Sequence, residues 1–248
     1  MSQIKSIAIT GKGGTGKTMV ATMLIKELRQ NYTGKLLVID ADSAMSLPYT
    51  LGVPVSKKTI SQLRSEITGP GQIRDQSIET WMESVVIHAD GFDMLIMGRP
   101  EAPGCFCSVN DLLKYAIGSL SEKYDLVIID GEAGPEQINR RVLSSVDMLL
   151  VVSDMSARSL ETACGILDVA KRGKDDIRIG HSSLVLNRVK QDRPNNVLLE
   201  KVNSEIIASF PEDALLNSYD RDGRSLLELP DESGCVQEAR RLISVLLN

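Results

Sequence analysis

Apolar residues recur along the chain in two rhythms, and the way the rhythms alternate predicts the architecture. Short runs rich in Val, Ile and Leu occupy residues 4–9, 35–40, 84–89, 92–97, 124–130, 147–152, 183–187 and 205–210. Runs of this length bounded by Gly, Pro or Asp read as strands, and nearly continuous apolar ones as strands buried on both faces. Asp90-Gly91 is expected to join two of them through a tight connection. Helical spacing marks 19–30, 59–67, 110–120, 156–172 and 233–247, while 44–51 is a further segment of unassigned type. In 156–172 one face carries Leu160, Ala163, Cys164, Leu167 and Ala170, which predicts Cys164 in the core. In 233–247 Val236, Ala239, Leu242, Ile243 and Leu246 predict a helix docked on the core, with Cys235 exposed at its start. Strands alternating with helices predict a doubly wound, mostly parallel α/β sheet, helices on both faces and ligand at the carboxyl ends of the strands.

Between the first strand and the first helix lies Gly11-Lys12-Gly13-Gly14-Thr15-Gly16-Lys17-Thr18. Glycines let such a loop curl so that its N–H groups, with the N-terminus of the next helix, point inward at an anion. Lys17 is expected to reach the β- and γ-phosphates of ATP or ADP, and the Thr18 hydroxyl to hold Mg²⁺. The strand at 35–40 runs into Asp40-Ala41-Asp42, and that at 124–130 ends in Asp130. Carboxylates at strand ends beside a phosphate loop can hold Mg²⁺ through water and orient the attacking water; the competing reading of Asp40 and Asp42 is a pair of turn-capping acids. Gly131 to Gly134 is expected to sense the γ-phosphate, and Asn187 ends a strand where its amide can pair with a base or cap a turn.

A second lysine at position 12 has no role in an ordinary phosphate loop. K-G-G-x-G-K-T resembles the deviant Walker A loop of the MinD/ParA group of P-loop ATPases, which includes the nitrogenase iron protein. The resemblance implies a homodimer in which Lys12 crosses the two-fold axis to the partner's nucleotide. It implies that Asp42 positions water, that Asp40 and Asp130 stand in the metal's outer shell, and that Asn187 reads adenine. Ser43 departs from the proline common after that aspartate.

Cysteines narrow the resemblance further. Cys105-Phe106-Cys107 supplies two thiolates, half of what structural zinc wants, and no nearby His or Cys completes the set; two such loops at a dimer axis would give four sulfurs. Together with the Lys12 loop, this C-x-C is similar to that of CooC-type ATPases. That implies assistance to nickel insertion into a carbon monoxide dehydrogenase-type client, with Ni²⁺ or Zn²⁺ on Cys105 and Cys107. A partition or positioning ATPase and an iron–sulfur carrier are the rivals. Residues 130–136 lack the second cysteine that the nitrogenase iron protein would place there.

Composition then trims the choices. With 42% apolar and 25% charged residues, 248 residues fit one nucleotide-binding domain over 1–248. A net charge of −5 and basic runs no longer than Lys57-Lys58 or Arg240-Arg241 argue against nucleic acid. The last helix lacks the basic face and aromatics of a membrane-lying segment, no apolar run approaches a membrane span, and no leader pattern opens the chain, so a cytoplasmic protein is expected. The two histidines, His88 and His181, form no metal-storing tract.

Overall fold

In the computed structural model, which describes residues 4–68, 78–99, 123–134, 145–172, 178–190, 199, 202 and 204–247, the elements match the alternation of the sequence. They are β1 (Ser6–Gly11), α1 (Lys17–Asn31), β2 (Leu36–Ala41), α2 (Ser46–Leu51), α3 (Ile60–Thr68), α4 (Ile78–Val85), β3 (Ile87–Ala89), β4 (Phe92–Ile96), β5 (Leu126–Ala133), β6 (Ser145–Ser153), α5 (Ala157–Arg172), β7 (Arg178–Val189), β8 (Ile206–Pro211), α6 (Ala214–Arg221), a 3₁₀ turn (Leu226–Glu228) and α7 (Gly234–Leu247). The strands form one sheet in the order β3-β4-β2-β5-β1-β6-β7-β8. All pairs are parallel except β3 with β4.

The two-residue period of the strands divides the core between the faces. Ile7, Ile9, Val38, Ile128 and Leu150 point to the side of α1 and α7, whereas Ala8, Leu37, Ile39, Ile129 and Leu149 point to the side of α3, α4 and α5. Phe210 of β8 is fully buried in the first of these clusters. Phe210→Ala is expected to cost about 3–5 kcal/mol through lost burial and the cavity left behind, read by urea denaturation with an unchanged m-value.

Three local readings change. Residues 84–89 are not one strand: Met82 and Val85 bury one helical face, so Ser84 and Val85 close α4 and only Ile87–Ala89 pair with β4. A short apolar run at a helix–strand boundary satisfies both periods. Cys164 is half-buried rather than core, because the buried stripe of α5 runs through Ser159, Leu160, Ala163, Ile166, Leu167 and Ala170. Cys235 is buried, not exposed: its thiol donates to the Pro211 carbonyl at 3.5 Å, and burial pushes its pKa up to about 12. α3 gains a capping box, in which the Thr59 amide donates to Gln62 Oε1 and the Gln62 amide to Thr59 Oγ1.

α7 docks as expected, on α1 and β8. Its Arg240 reaches Glu27 of α1 at 2.9 Å, where the carboxylate is only 2% exposed. At β8, the edge of the sheet, the Ser209 amide donates to Glu238 and Arg241 donates to the Ile207 carbonyl, so α7 side chains occupy two backbone groups of that strand. Among the described residues no helix is long and apolar enough to cross a membrane.

Candidate functional site: the phosphate loop and its cleft

β1 ends at Gly11 and α1 starts at Lys17, in the middle of the sheet with β5 and β6 on either side. Two glycines between them cannot be replaced without a shift. Gly11 has φ +150°, and a Cβ there would collide with the Val152 carbonyl of β6; Gly16 has φ +89°, and a Cβ there would collide with Asn187 Nδ2. Thr15 closes the loop on itself, its amide and hydroxyl both donating to the Lys12 carbonyl, at 3.4 and 2.9 Å. α1 has no side-chain cap and no acid in its first turn, which keeps its N-terminus receptive to negative charge.

A cleft of about 530 Å³ opens beside the loop, lined by Gly13, Gly14, Gly16, Lys17 and Thr18. Asp42, Ala133, Asn187, Arg188, Pro211 and Leu216 also line it. Lys17 is 7% exposed. Lys12 is half-buried and does not line the cleft of its own chain; burial pushes the nearby Asp154 carboxyl up, but hydrogen bonds from Ser156, with the Lys12 charge adding to them, hold it below the usual range.

Strand register brings two acids together. Asp40 of β2 lies opposite Asp130 of β5, and both are buried. Asp40 accepts from the amides of Asp42 and Leu47, at 3.0 and 3.1 Å. Neither carboxylate oxygen of Asp130 has a hydrogen-bond partner. Burial pushes Asp40 up to about 8, the Asp130 charge adding to it and the two amide bonds opposing. Burial also pushes Asp130 up to about 7, against the Thr18 hydroxyl and the Lys17 ammonium. A buried carboxylate without a partner, a second acid opposite and a hydroxyl nearby are hard oxygen donors of the kind a hydrated Mg²⁺ takes, so these residues fit that ion.

Asp42 faces the cleft, its carboxylate accepting from the Ala44 amide at 2.9 Å in a turn that keeps it at the strand end despite Ser43. The end of β5 is latched to the loop: Gly134 N–H donates to the Gly11 carbonyl at 3.0 Å, and Thr10 Oγ1 to the Glu132 and Gly134 carbonyls at 3.3 Å. Asn187 reaches the site, but its amide nitrogen donates to the Thr15 carbonyl at 2.8 Å and its oxygen accepts from the Arg188 amide at 2.9 Å. Cys105, Cys107 and the helix expected at 110–120 lie outside the described residues. Among the described residues no group of three or more His, Cys, Asp or Glu could hold a metal ion. His88 pairs with Asp93 at 2.6 Å on β3 and β4, away from the cleft.

Sequence reasoning missed Arg188 and α6. α6 had a signal in Asp213-Ala214-Leu215-Leu216, since Asp213 caps the helix by accepting from the amides of Leu215 and Leu216. Arg188 had none.

A Gly-rich loop between a central parallel strand and a helix, two acids on the adjoining strand ends and a cleft at the carboxyl edge define a P-loop ATPase with an eight-stranded, mostly parallel sheet. Residues 4–179 match AAA_31, an AAA domain, and the chain belongs to this family of MinD/ParA-type P-loop ATPases. An uncharacterized ATP-binding protein of Methanocaldococcus jannaschii is 32% identical over 252 residues, 98% of each chain. The carbon monoxide dehydrogenase accessory protein CooC of Rhodospirillum rubrum is 29% identical over 258 residues, 97% of this chain and 95% of that one. In structure, the chain is similar to the septum site-determining protein MinD complexed with Mg-ADP from Pyrococcus horikoshii, with a TM-score of 0.72 and 23% identity over 98% of this chain and 95% of that one.

Proposed function

We propose that this chain is one ATPase domain over 1–248 that acts in the cytoplasm as a homodimer and assists nickel insertion into a carbon monoxide dehydrogenase-type enzyme. The observation that carries the reading is the joint presence of Lys12 in the phosphate loop and the Cys105-Phe106-Cys107 triplet, in a chain similar to CooC along nearly its whole length. Nickel is the cargo, held by four thiolates drawn from two copies of Cys105 and Cys107; Zn²⁺ is the competing soft ion.

ATP would lie along the cleft with its phosphates in the loop. Lys17 holds the β- and γ-phosphates, Asp42 orients the attacking water, and Lys12 reaches the nucleotide of the partner protomer. Thr18 would hold Mg²⁺ directly and Asp40 and Asp130 through water, and the ion would supply positive charge to offset that on the transferred phosphoryl group. Asn187 and the Pro211 turn border the adenine end.

A link between nucleotide and cargo has support in Arg99, whose Nε donates at 2.9 Å to the carbonyl of Ser43, next to Asp42. The chain leaves β4 toward the cysteines through this arginine, at the same carboxyl edge as the phosphate loop. Movement of the Asp42 turn would therefore be felt at Arg99, six positions before Cys105 in the sequence. Anaerobically purified chain is expected to bind one nickel per two copies, in competition with a chelator, with different affinities in its ATP and ADP forms. A Cys105→Ser, Cys107→Ser double variant is expected to lose the ion and keep the ATPase. Equal affinity in both nucleotide states removes the link, and brown, iron-containing protein overturns the nickel assignment in favour of an iron–sulfur carrier. The likeness to MinD favours a second reading, a positioning or partition ATPase. That reading wins if ATP drives the chain onto lipid vesicles or nonspecific DNA and the double variant works normally.

A further inference from the structure

Among the described residues only Met45 and Arg188 are non-glycines at positive φ, and Arg188, at +54°, stands at the cleft. A long side chain in the left-handed region is disfavoured, and such positions persist where the surroundings hold them. Here two contacts do so. Arg188 Nη1 donates to the Gly14 carbonyl at 3.0 Å, and Asn187 Nδ2 donates to the Thr15 carbonyl at 2.8 Å. Two successive residues at the end of β7 thus hold two successive carbonyls of the phosphate loop, across 174 and 172 positions of chain.

The peptide plane turns this clamp into a statement about ligand binding. In a trans peptide the carbonyl and the following N–H point opposite ways. Fixing the Gly14 and Thr15 carbonyls toward β7 therefore sends the amides of Thr15 and Gly16 away from it: the Thr15 amide makes the 3.4 Å bond to the Lys12 carbonyl that closes the loop, and the Gly16 amide is turned to the side where an anion would be gathered. A loop with three glycines at 13, 14 and 16 has many other conformations available to it. Pinning its carbonyls beforehand reduces what a phosphate must order on arrival.

We propose that Arg188 is a positioning residue of the phosphate loop, which sets the loop's amides for a di- or triphosphate without touching the nucleotide; this rests on the loop being the nucleotide site. Arg188→Ala is expected to weaken ADP binding by about tenfold, the scale of one charge-assisted hydrogen bond, and to raise KM for ATP while kcat changes little. Arg188→Lys, which keeps one donor, is expected to recover most of the affinity. Arg188→Gly relieves the backbone, so its melting temperature is expected to match or exceed that of the wild type while ADP binds as weakly as to Arg188→Ala. Pyrophosphate, measured alone by calorimetry, is expected to lose affinity in parallel with ADP.

Arg188→Ala binding ADP as tightly as the wild type overturns the assignment. So does a loss seen with ADP but not with pyrophosphate, which would place the guanidinium on the nucleoside. A wild-type chain that takes up no ADP defeats the nucleotide-site reading itself, and the clamp with it.

Discussion

Lys17→Ala is expected to lower the ATP turnover number by about 10² to 10³-fold, the usual cost of removing a prepositioned donor from developing phosphoryl charge. The side chain is 7% exposed and sits beside the buried Asp130, so its ammonium is already partly desolvated where the phosphates would lie. Coulombic interactions are stronger in such surroundings than in water. A steady-state phosphate-release assay reads the change, with circular dichroism to show that the variant folds. Turnover retained within threefold would mean that Lys17 serves only to offset the nearby Asp130 charge.

Asp130→Asn is expected to move stability and activity in opposite directions. Burial raises the folded-state pKa of Asp130 to about 7 and that of Asp40 to about 8, whereas the unfolded chain titrates both near the ordinary carboxylate value of about 4. Between those limits the folded state binds more protons than the unfolded one, so stability is fully present below about pH 4 and falls as pH rises toward 8. In metal-free buffer at pH 8 the asparagine variant is therefore expected to be more stable than the wild type, on the order of 2–4 kcal/mol. Its Mg²⁺-dependent hydrolysis is expected to fall by about 10²-fold. Denaturation curves in EDTA across pH 5–8, paired with turnover in Mg²⁺, check both halves. A wild type whose stability rises across that range would show that these carboxylates are solvated in the free chain.

Features that arise from periodicity were mostly legible in the sequence. Strands buried on both faces leave unbroken apolar runs, as at Leu126 to Ile129, and the Gly11–Thr18 loop announces itself between a strand and a helix. Features that depend on tertiary pairing stayed hidden. The meeting of Asp40 with Asp130 is set by parallel register, which spacing along one strand does not encode. The Arg188 contact with Gly14 joins residues 174 apart and carries no local signature. Cys235 shares the helical face of Ala239, Leu242 and Leu246, so its burial was legible in the spacing; the thiol's bond to the Pro211 carbonyl was not. α4 and the start of β3 share the run Ser84 to Ile87, where helix and strand periods agree until neighbours choose.

The two α7 contacts to the β8 backbone limit how copies of this protein can meet. With the Ser209 amide and the Ile207 carbonyl taken by Glu238 and Arg241, strand addition at that flank would first have to break them. The opposite flank ends in β3, three residues long and antiparallel to its neighbour, a poor template for another chain. Lateral growth into fibres is thus disfavoured at both ends of the sheet, and self-association is directed to the rim where the loops emerge.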